Sequence, residues 1–460
     1  MSAAAADTGG RHPAATFSCC PVCLKKLPAR LVQREETVFL EKSCPDHGAF
    51  SVPVWRGEPS WEAWIAAAGG TKTSPPEVTQ TGRDRGCPFD CGVCPDHRER
   101  VCCVLLEVTR RCNQSCRYCF AEAGDDSSAD PPLAEILKRY EFLKKAGEER
   151  PFNIHISGGE PTMREDLPRI IEGAVQAGFP YIQLNTNGLR LAEEAGYTET
   201  LKEAGVSAVF LQFDGTGDAV YRKIRGRDLT AVKTAALEAC RRAHLPVVLA
   251  VTLVPGINTR EIGAILRYAL SLRPIVRGIH FQPVSYFGRY PAGVENPPHV
   301  TIPEVLKALE EQTGGLVHSS DFGPGATAHP ACGFHGSFNV RENGTLKPTI
   351  RRRGDREGYL SGRDYVATRW VLPGGKAGCC CGSSEVSGLT GWDEFLSRFR
   401  ESLFTITGMA FQDAWTVDLE RLSRCKVFVL SEGRKLIPFC AWNLTSTEGR
   451  SIHRGEKDSW

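Results

Sequence analysis

Between about residues 104 and 290 the chain alternates short, nearly continuous apolar runs with stretches whose apolar residues recur every three or four positions. The runs at 104–108, 152–157, 181–185, 208–213, 246–254 and 278–283 read as β-strands. Apolar residues on both sides of the pleat are what parallel strands covered on both faces require. The stretches between them read as helices. In 133–147, Leu133, Ile136, Leu137, Tyr140 and Leu143 form one stripe, and Gly147 stands where a helix stops. Segments 167–175 and 262–272 repeat that spacing. Six strand–helix units in succession predict an α/β fold, a partial (β/α)6 TIM-like barrel whose ligands gather at the C-terminal ends of its strands.

The flanks lack this rhythm. Residues 1–16 are Ala-rich and polar, with no secretory pattern, and read as a disordered tail. Residues 17–70 read as a small zinc-ribbon or rubredoxin-like metal module with a hairpin near 34–40 and a short helix at 61–68, and 71–103 as a second cysteine segment. After the core at 104–290, residues 291–460 are expected to form a separate C-terminal domain holding an auxiliary iron–sulfur centre, with a helix over 392–403. The longest apolar run, 245–257, is too short to span a bilayer and contains Pro246 and Pro255. The expectation is a cytoplasmic protein without a transmembrane segment.

Composition narrows the chemistry. The 460 residues are 41% hydrophobic, enough for a full core, and Lys plus Arg (56) nearly balances Asp plus Glu (54). Nothing in that balance calls for a nucleic-acid partner. Nineteen cysteines, an odd number without a secretory signal, point to metal ligation rather than disulfides. They cluster at 19–44, 87–103, 112–119 and 332–440, with Cys240 apart. Cys19, Cys103 and Cys240 read as ordinary small core residues.

The first strand runs into Cys112-Asn-Gln-Ser-Cys116-Arg-Tyr-Cys119, a C-x3-C-x2-C triplet. Three thiolates hold three irons of a cubane and leave the fourth iron open to a substrate, although zinc modules can use the same spacing. The second strand ends in Ser157-Gly-Gly-Glu-Pro-Thr162. Its glycines let backbone approach a ligand and Glu160 can accept a bond from an amino group; a tight βα turn is the plain alternative.

The triplet, the Gly-Gly-Glu-Pro turn and six βα units together resemble the radical S-adenosylmethionine (SAM) superfamily over about 104–290. The resemblance implies a [4Fe-4S] cluster on Cys112, Cys116 and Cys119 whose open iron chelates SAM. It implies that Gly158, Gly159, Glu160 and Pro161 contact the methionine amino group and that the backbone of Tyr118 lies near the adenine. Thr186, Asn187, Gln212 and Asp214, and the segment ending in Asn258, are implied at the strand ends that hold the rest of SAM; each is equally a turn former or helix cap. Arg225 could pair with the SAM carboxylate or lie on a solvated helix face.

Further cysteines suggest more metal. Cys87, Cys91 and Cys94 repeat the triplet spacing, and Cys102 offers a fourth thiolate that would close the site; Cys103 would point the other way on a strand. Cys20, Cys23, Cys44 and His47 form two knuckles, C-x2-C and C-x2-H, expected to hold one mononuclear zinc or iron. Cys332, Cys425 and Cys440, with Cys380 standing for one of Cys379, Cys380 and Cys381, are candidates for a further cluster.

The wider layout, over about 17–445, resembles the archaeal tetraether lipid synthases and the related methyltransferases of pterin-cofactor biosynthesis. The residues that carry it are Gly86-Cys-Pro-Phe-Asp-Cys-Gly-Val-Cys-Pro-Asp-His97, Leu184-Asn-Thr-Asn-Gly188, Leu211-Gln-Phe-Asp-Gly215, Met409-Ala-Phe-Gln-Asp413 and Ile437-Pro-Phe-Cys-Ala-Trp-Asn443. It implies one or two auxiliary [4Fe-4S] clusters and an electron donor such as ferredoxin or flavodoxin. Phe428 departs from the branch, in which a histidine follows the cysteine equivalent to Cys425. The leading expectation is carbon–carbon bond formation at an unactivated carbon of a lipid-like or other organic substrate. Methylation of a pterin-like small molecule is the second, and a non-catalytic zinc-ribbon binding protein is a third of a different class.

Overall fold

A computed structural model describes residues 14–69, 73–124, 129–147, 151–291, 296–325, 329–349, 358–372 and 400–454. The N-terminal strands β1 (Ala14–Cys19), β2 (Lys26–Arg34), β3 (Thr37–Cys44) and β4 (Gly48–Arg56) make an antiparallel sheet in chain order, followed by helix α1 (Trp61–Ala67). Along β3 the inward positions are Val38, Leu40, Lys42 and Cys44. The tail assigned to 1–16 is shorter than expected at its inner end: Ala14, Ala15 and Thr16 pair with Leu31, Arg30 and Ala29.

Six parallel strands follow: β5 (Cys103–Thr109), β6 (Asn153–Gly158), β7 (Ile182–Thr186), β8 (Ala208–Gln212), β9 (Val247–Leu253) and β10 (Val276–Pro283). Between them run α2 (Leu133–Ala146), α3 (Leu167–Gln176), α4 (Leu189–Glu193), α5 (Tyr197–Ala204), α6 (Asp218–Arg225), α7 (Thr230–Arg242) and α8 (Ile262–Ser271). Each predicted strand is present within two residues of its expected ends. Val104, Leu106 and Val108 pack outward with Ile136 and Tyr140, whereas Cys103 and Leu105 belong to a second core with Val427, Val429 and Trp442. One pleat therefore serves the helical layer and the other the interior.

The C-terminal region is not separate from this sheet. After α9 (Ile302–Thr313) come β11 (Gly323–Pro324), β12 (Gly333–Val340), β13 (Leu346–Pro348), α10 (Gly358–Arg369), β14 (Leu403–Met409), α11 (Leu419–Leu422), β15 (Val427–Leu430), β16 (Leu436–Pro438) and α12 (Phe439–Trp442). Strand β14 joins β10 in parallel and β15 joins β5 in parallel, giving one 12-stranded sheet. A partial barrel leaves both edge strands with unpaired backbone groups, and the distal sequence supplies the partners. The helix expected over 392–403 lies mostly outside the described residues, and Leu403 opens β14 instead. Among the described residues no helix is long and apolar enough to cross a membrane.

Candidate active site and metal centres

The cysteine loop is clamped from two sides. On one side a Cβ built on Gly158 (φ 124°) would overlap the carbonyl oxygen of Thr109, and one on Gly159 would overlap that of Arg111, so only glycine fits this approach. Gly159 N donates to Thr109 O (2.8 Å) and Glu160 N to Arg111 O (2.8 Å). On the other side Cys119 and Arg289 exchange backbone bonds, and the Arg289 guanidinium donates to Cys116 O and Ala123 O, both at 2.7 Å. Burial, with Glu160, Cys116 and Cys119 adding to it, pushes the Cys112 thiol up to about 12. A Cys112 thiol held protonated by desolvation fits a cationic iron cluster that supplies the missing positive charge.

Glu160 is buried at the end of β6. Its Oε1 accepts from Thr162 N (3.1 Å), Thr162 Oγ1 (2.7 Å) and Thr186 Oγ1 (2.7 Å), and its Oε2 accepts from Asn187 N (2.7 Å). Pro161 starts the 3-10 turn Pro161–Met163 that brings Thr162 back to it. Burial raises the carboxyl pKa against these donors. Oε2 keeps a free lone pair, enough for one ammonium N–H. Asn187 also donates through Nδ2 to Asn113 Oδ1 (2.8 Å), beside Cys112. Thr186 and Asn187 thus hold Glu160 rather than presenting free groups of their own.

Arg225 does not lie on a solvated face. It is buried at the end of α6, with Nε to Asp214 Oδ2 (2.6 Å), Nη2 to Asp214 Oδ1 (2.9 Å) and Thr252 Oγ1 (3.0 Å), and Nη1 to Tyr118 O (3.1 Å). Burial pulls its pKa down, but Asp214 and Cys116 outweigh that and hold it above the usual value. The fork that could have gripped a SAM carboxylate is engaged with Asp214, and the pair ties β8, β9 and the cysteine loop together. Asn258 Nδ2 bonds Asp214 O and Thr252 O at 2.8 Å, fixing the same corner. Two site residues escaped the sequence reading. Arg289 left no signal, whereas Lys233 did: it interrupts the buried stripe Lys233, Ala236, Leu237, Cys240 of α7.

The interior face mixes polar side chains with an apolar patch of Tyr181, Ala208, Phe210, Val248 and Trp370. His155 on β6 and His280 on β10 have three strands between them in the sheet, yet His155 senses the charge of His280, and the Phe210 and His280 rings lie 5.5 Å apart across β9. Such pairs meet only across a concave surface. Burial lowers both histidines to about 4, so both are neutral near pH 7. His280 Nδ1 meets Thr407 Oγ1 (2.8 Å) and Gln183 Nε2 donates to Asn185 Oδ1 (2.8 Å). His155 Nε2 and Gln212 Oε1 are buried without a hydrogen-bond partner among the described residues. Trp370, after α10, closes the floor 5.9 Å from Phe210.

In the ribbon, the donor atoms of Cys20, Cys23, Cys44 and His47 all lie within 4.8 Å of one another. Cys23–Cys44 is 3.9 Å, Cys20–His47 Nδ1 3.6 Å and Cys44–His47 Nδ1 3.4 Å. A tetrahedron with metal–sulfur bonds of about 2.3 Å and a metal–nitrogen bond of about 2.0 Å separates its donors by about 3.5–3.8 Å, so the set fits a mononuclear metal with His47 as a ligand. Lys42, buried beside it, donates to Ser18 Oγ (3.0 Å), Ala414 O (2.8 Å) and Trp415 O (2.9 Å), fastening the ribbon to the C-terminal segment.

The auxiliary cysteines regroup. Cys91 lies in the field of Cys87, Cys94 and Cys425, and burial, the Cys87 thiol first, raises it well above the usual value. Cys102, expected as the fourth thiol, senses Cys103, Arg363 and Lys426. Strand β5 begins at Cys103, and its pleat turns Cys103, not Cys102, toward the core that holds Cys91 and Cys440. Cys440 senses Cys425 and Cys332, while Cys332 Sγ accepts from Arg421 (3.3 Å) and Cys440 Sγ from Gln412 N (3.3 Å). Cys19 is buried near Cys87, and among the described cysteines only Cys240 sits in the outer helical core. Cys379, Cys380 and Cys381 lie outside the described residues. Phe428 is fully buried with its ring 5.1 Å from that of His97, whose Nε2 meets Cys425 O (2.8 Å).

The description "Radical SAM superfamily" matches residues 106–269, and "HMPTM N-terminal zinc ribbon domain" matches residues 12–56. The 7,8-dihydro-6-hydroxymethylpterin dimethyltransferase of Methanocaldococcus jannaschii is 33% identical, over 96% of this chain and 94% of its own. The chain belongs to the radical SAM superfamily. A GTP 3',8-cyclase of Syntrophomonas wolfei subsp. wolfei is 30% identical over 41% of this chain and 58% of its own. Streptococcus suis SuiB bound to S-adenosylmethionine aligns over 47% of this chain and 48% of its own with 11% identity and a TM-score of 0.40. As a radical SAM enzyme the protein uses a [4Fe-4S] cluster and SAM, with a further metal site in its ribbon. A non-catalytic zinc-ribbon binding protein is thereby set aside.

Proposed function

We propose that this radical SAM enzyme adds one-carbon units to a pterin-like heterocycle in the cytoplasm, rather than coupling lipid chains. The observation that supports this reading is a pair of buried polar atoms on the barrel interior, His155 Nε2 and Gln212 Oε1, that have no hydrogen-bond partner among the described residues. A fused pyrimidine offers N–H donors and ring acceptors to such atoms. A hydrocarbon would leave each unpaired at about 1–3 kcal/mol. The name of the Methanocaldococcus jannaschii relative, a hydroxymethylpterin dimethyltransferase, points the same way.

When bound at Cys112, Cys116 and Cys119, the reduced cluster would supply the electron that splits SAM into methionine and a 5'-deoxyadenosyl radical able to take hydrogen from an unactivated carbon. The chain's own residues bind and orient. Glu160 Oε2 receives the methionine amino group on the Gly158–Gly159–Pro161 turn, the backbone of Tyr118 borders the adenine, and Asp214 with Arg225 fixes the loop that carries Cys116 and Tyr118. Gln212 and His155 meet the substrate. Cys87, Cys91, Cys94 and Cys425 would hold one auxiliary cluster, with Cys332 and Cys440 contributing to another, and a small acidic donor such as ferredoxin or flavodoxin would deliver electrons.

The test is anaerobically reconstituted protein with a strong reductant, methyl-labelled SAM and 7,8-dihydro-6-hydroxymethylpterin. Formation of 5'-deoxyadenosine together with a methylated pterin is the expected outcome. Joining of alkyl chains in an ether lipid, with the pterin untouched, would refute the proposal.

A further inference from the structure

Lys233 lies on the inward stripe of α7 with Ala236, Leu237 and Cys240, and it is almost wholly buried. Methionine or leucine would fill such a position without the desolvation penalty of an ammonium. No carboxylate forms an ion pair with it among the described residues. Among the described residues the one hydrogen bond of its ammonium is from Nζ to the backbone oxygen of Asn187 (2.6 Å), and the ammonium stands 5.8 Å from the centre of the Tyr221 ring. Around it lie the charges of Asp214, Arg225, Glu160 and Cys116. Asn187 is the junction of the site: its N–H goes to Glu160 Oε2 (2.7 Å) and its Nδ2 to Asn113 Oδ1 (2.8 Å), next to Cys112. A cation pulling on the carbonyl of that residue fixes the peptide plane whose neighbouring N–H groups meet Glu160 and the helix α4 start.

We propose that Lys233 is a positioning residue for SAM, locking the Asn187 turn so that Glu160 and the cysteine loop hold the geometry in which the methionine amino group is received. The proposal rests on the SAM site assigned above. It extends that site to a side chain that need not touch SAM.

The experiment compares wild type with Lys233→Met, both reconstituted anaerobically, by titrating SAM against the electron paramagnetic resonance spectrum of the reduced cluster and by following 5'-deoxyadenosine. The expected result is a SAM Kd raised about tenfold to hundredfold, the range set by one charge-assisted hydrogen bond, with a smaller fall in kcat at saturating SAM. Iron, sulfide and the SAM-free spectrum should match wild type. An unchanged SAM Kd overturns the proposal, as does loss of cluster and thermal stability in step with SAM affinity, which would assign Lys233 to packing. If Lys233→Met does not fold, Lys233→Gln, which keeps a neutral N–H donor, is read by the same criteria. Failure of wild type itself to form 5'-deoxyadenosine would instead strike the underlying site assignment.

Discussion

Replacing Asp214 by asparagine isolates the ion pair at the centre of the site. Asp214 is fully buried and Arg225 nearly so. Oδ1 accepts from Arg225 Nη2 and from Thr252 N (3.1 Å), and Oδ2 accepts from Arg225 Nε (2.6 Å). Asparagine keeps the shape and one acceptor, removes the charge and aims an N–H2 at a guanidinium N–H. Stranding a buried charge costs about 3–5 kcal/mol, and the remaining acceptor should hold the loss to about 2–4 kcal/mol. Arg225→Met in the same background removes the stranded cation, so the double variant should lie within about 1–2 kcal/mol of wild type. Denaturant melts of the anaerobic holoprotein measure stability, and SAM-dependent 5'-deoxyadenosine formation measures the site. The Tyr118 carbonyl loses its guanidinium donor in the double variant, so activity should stay low even where stability returns. An Asp214→Asn protein as stable as wild type, or a double variant no better than the single one, would refute the reasoning.

Three more outcomes follow from the geometry. Gly159→Ala forces a Cβ into the Arg111 carbonyl, and a backbone obstacle cannot swing aside, so 5'-deoxyadenosine formation should fall by at least about a hundredfold with the ribbon metal retained. Cys44→Ser should abolish stoichiometric metal in the ribbon, read by elemental analysis; full retention of that metal would show that Cys44 is not a ligand. His155 and His280 titrate near 4 in the fold against an ordinary 6.5, so the unfolded chain binds more protons between those values. Their stabilising effect is whole above about pH 6.5 and is lost as pH falls toward 4, by up to about 3 kcal/mol each. Replacing both by glutamine should flatten that part of the stability profile.

The chemistry was legible because it depends on close sequence neighbours. Cys112, Cys116 and Cys119 fit within one loop, Gly158 to Pro161 within one turn, and each ribbon knuckle within four residues. The βα rhythm was legible because apolar spacing follows local strand and helix geometry. By itself, then, the sequence determined the barrel strands, the cysteine triplet in the loop after the first of them and the Cys/His set of the ribbon. Only the tertiary structure decided how distant pieces meet: that 403–438 completes both sheet edges, that Cys91 comes into the field of Cys425, and that Arg225 is committed to Asp214. It also decided which polar side chains share the barrel interior, because alternate positions on six strands converge only once the sheet curves, and no single strand carries that information.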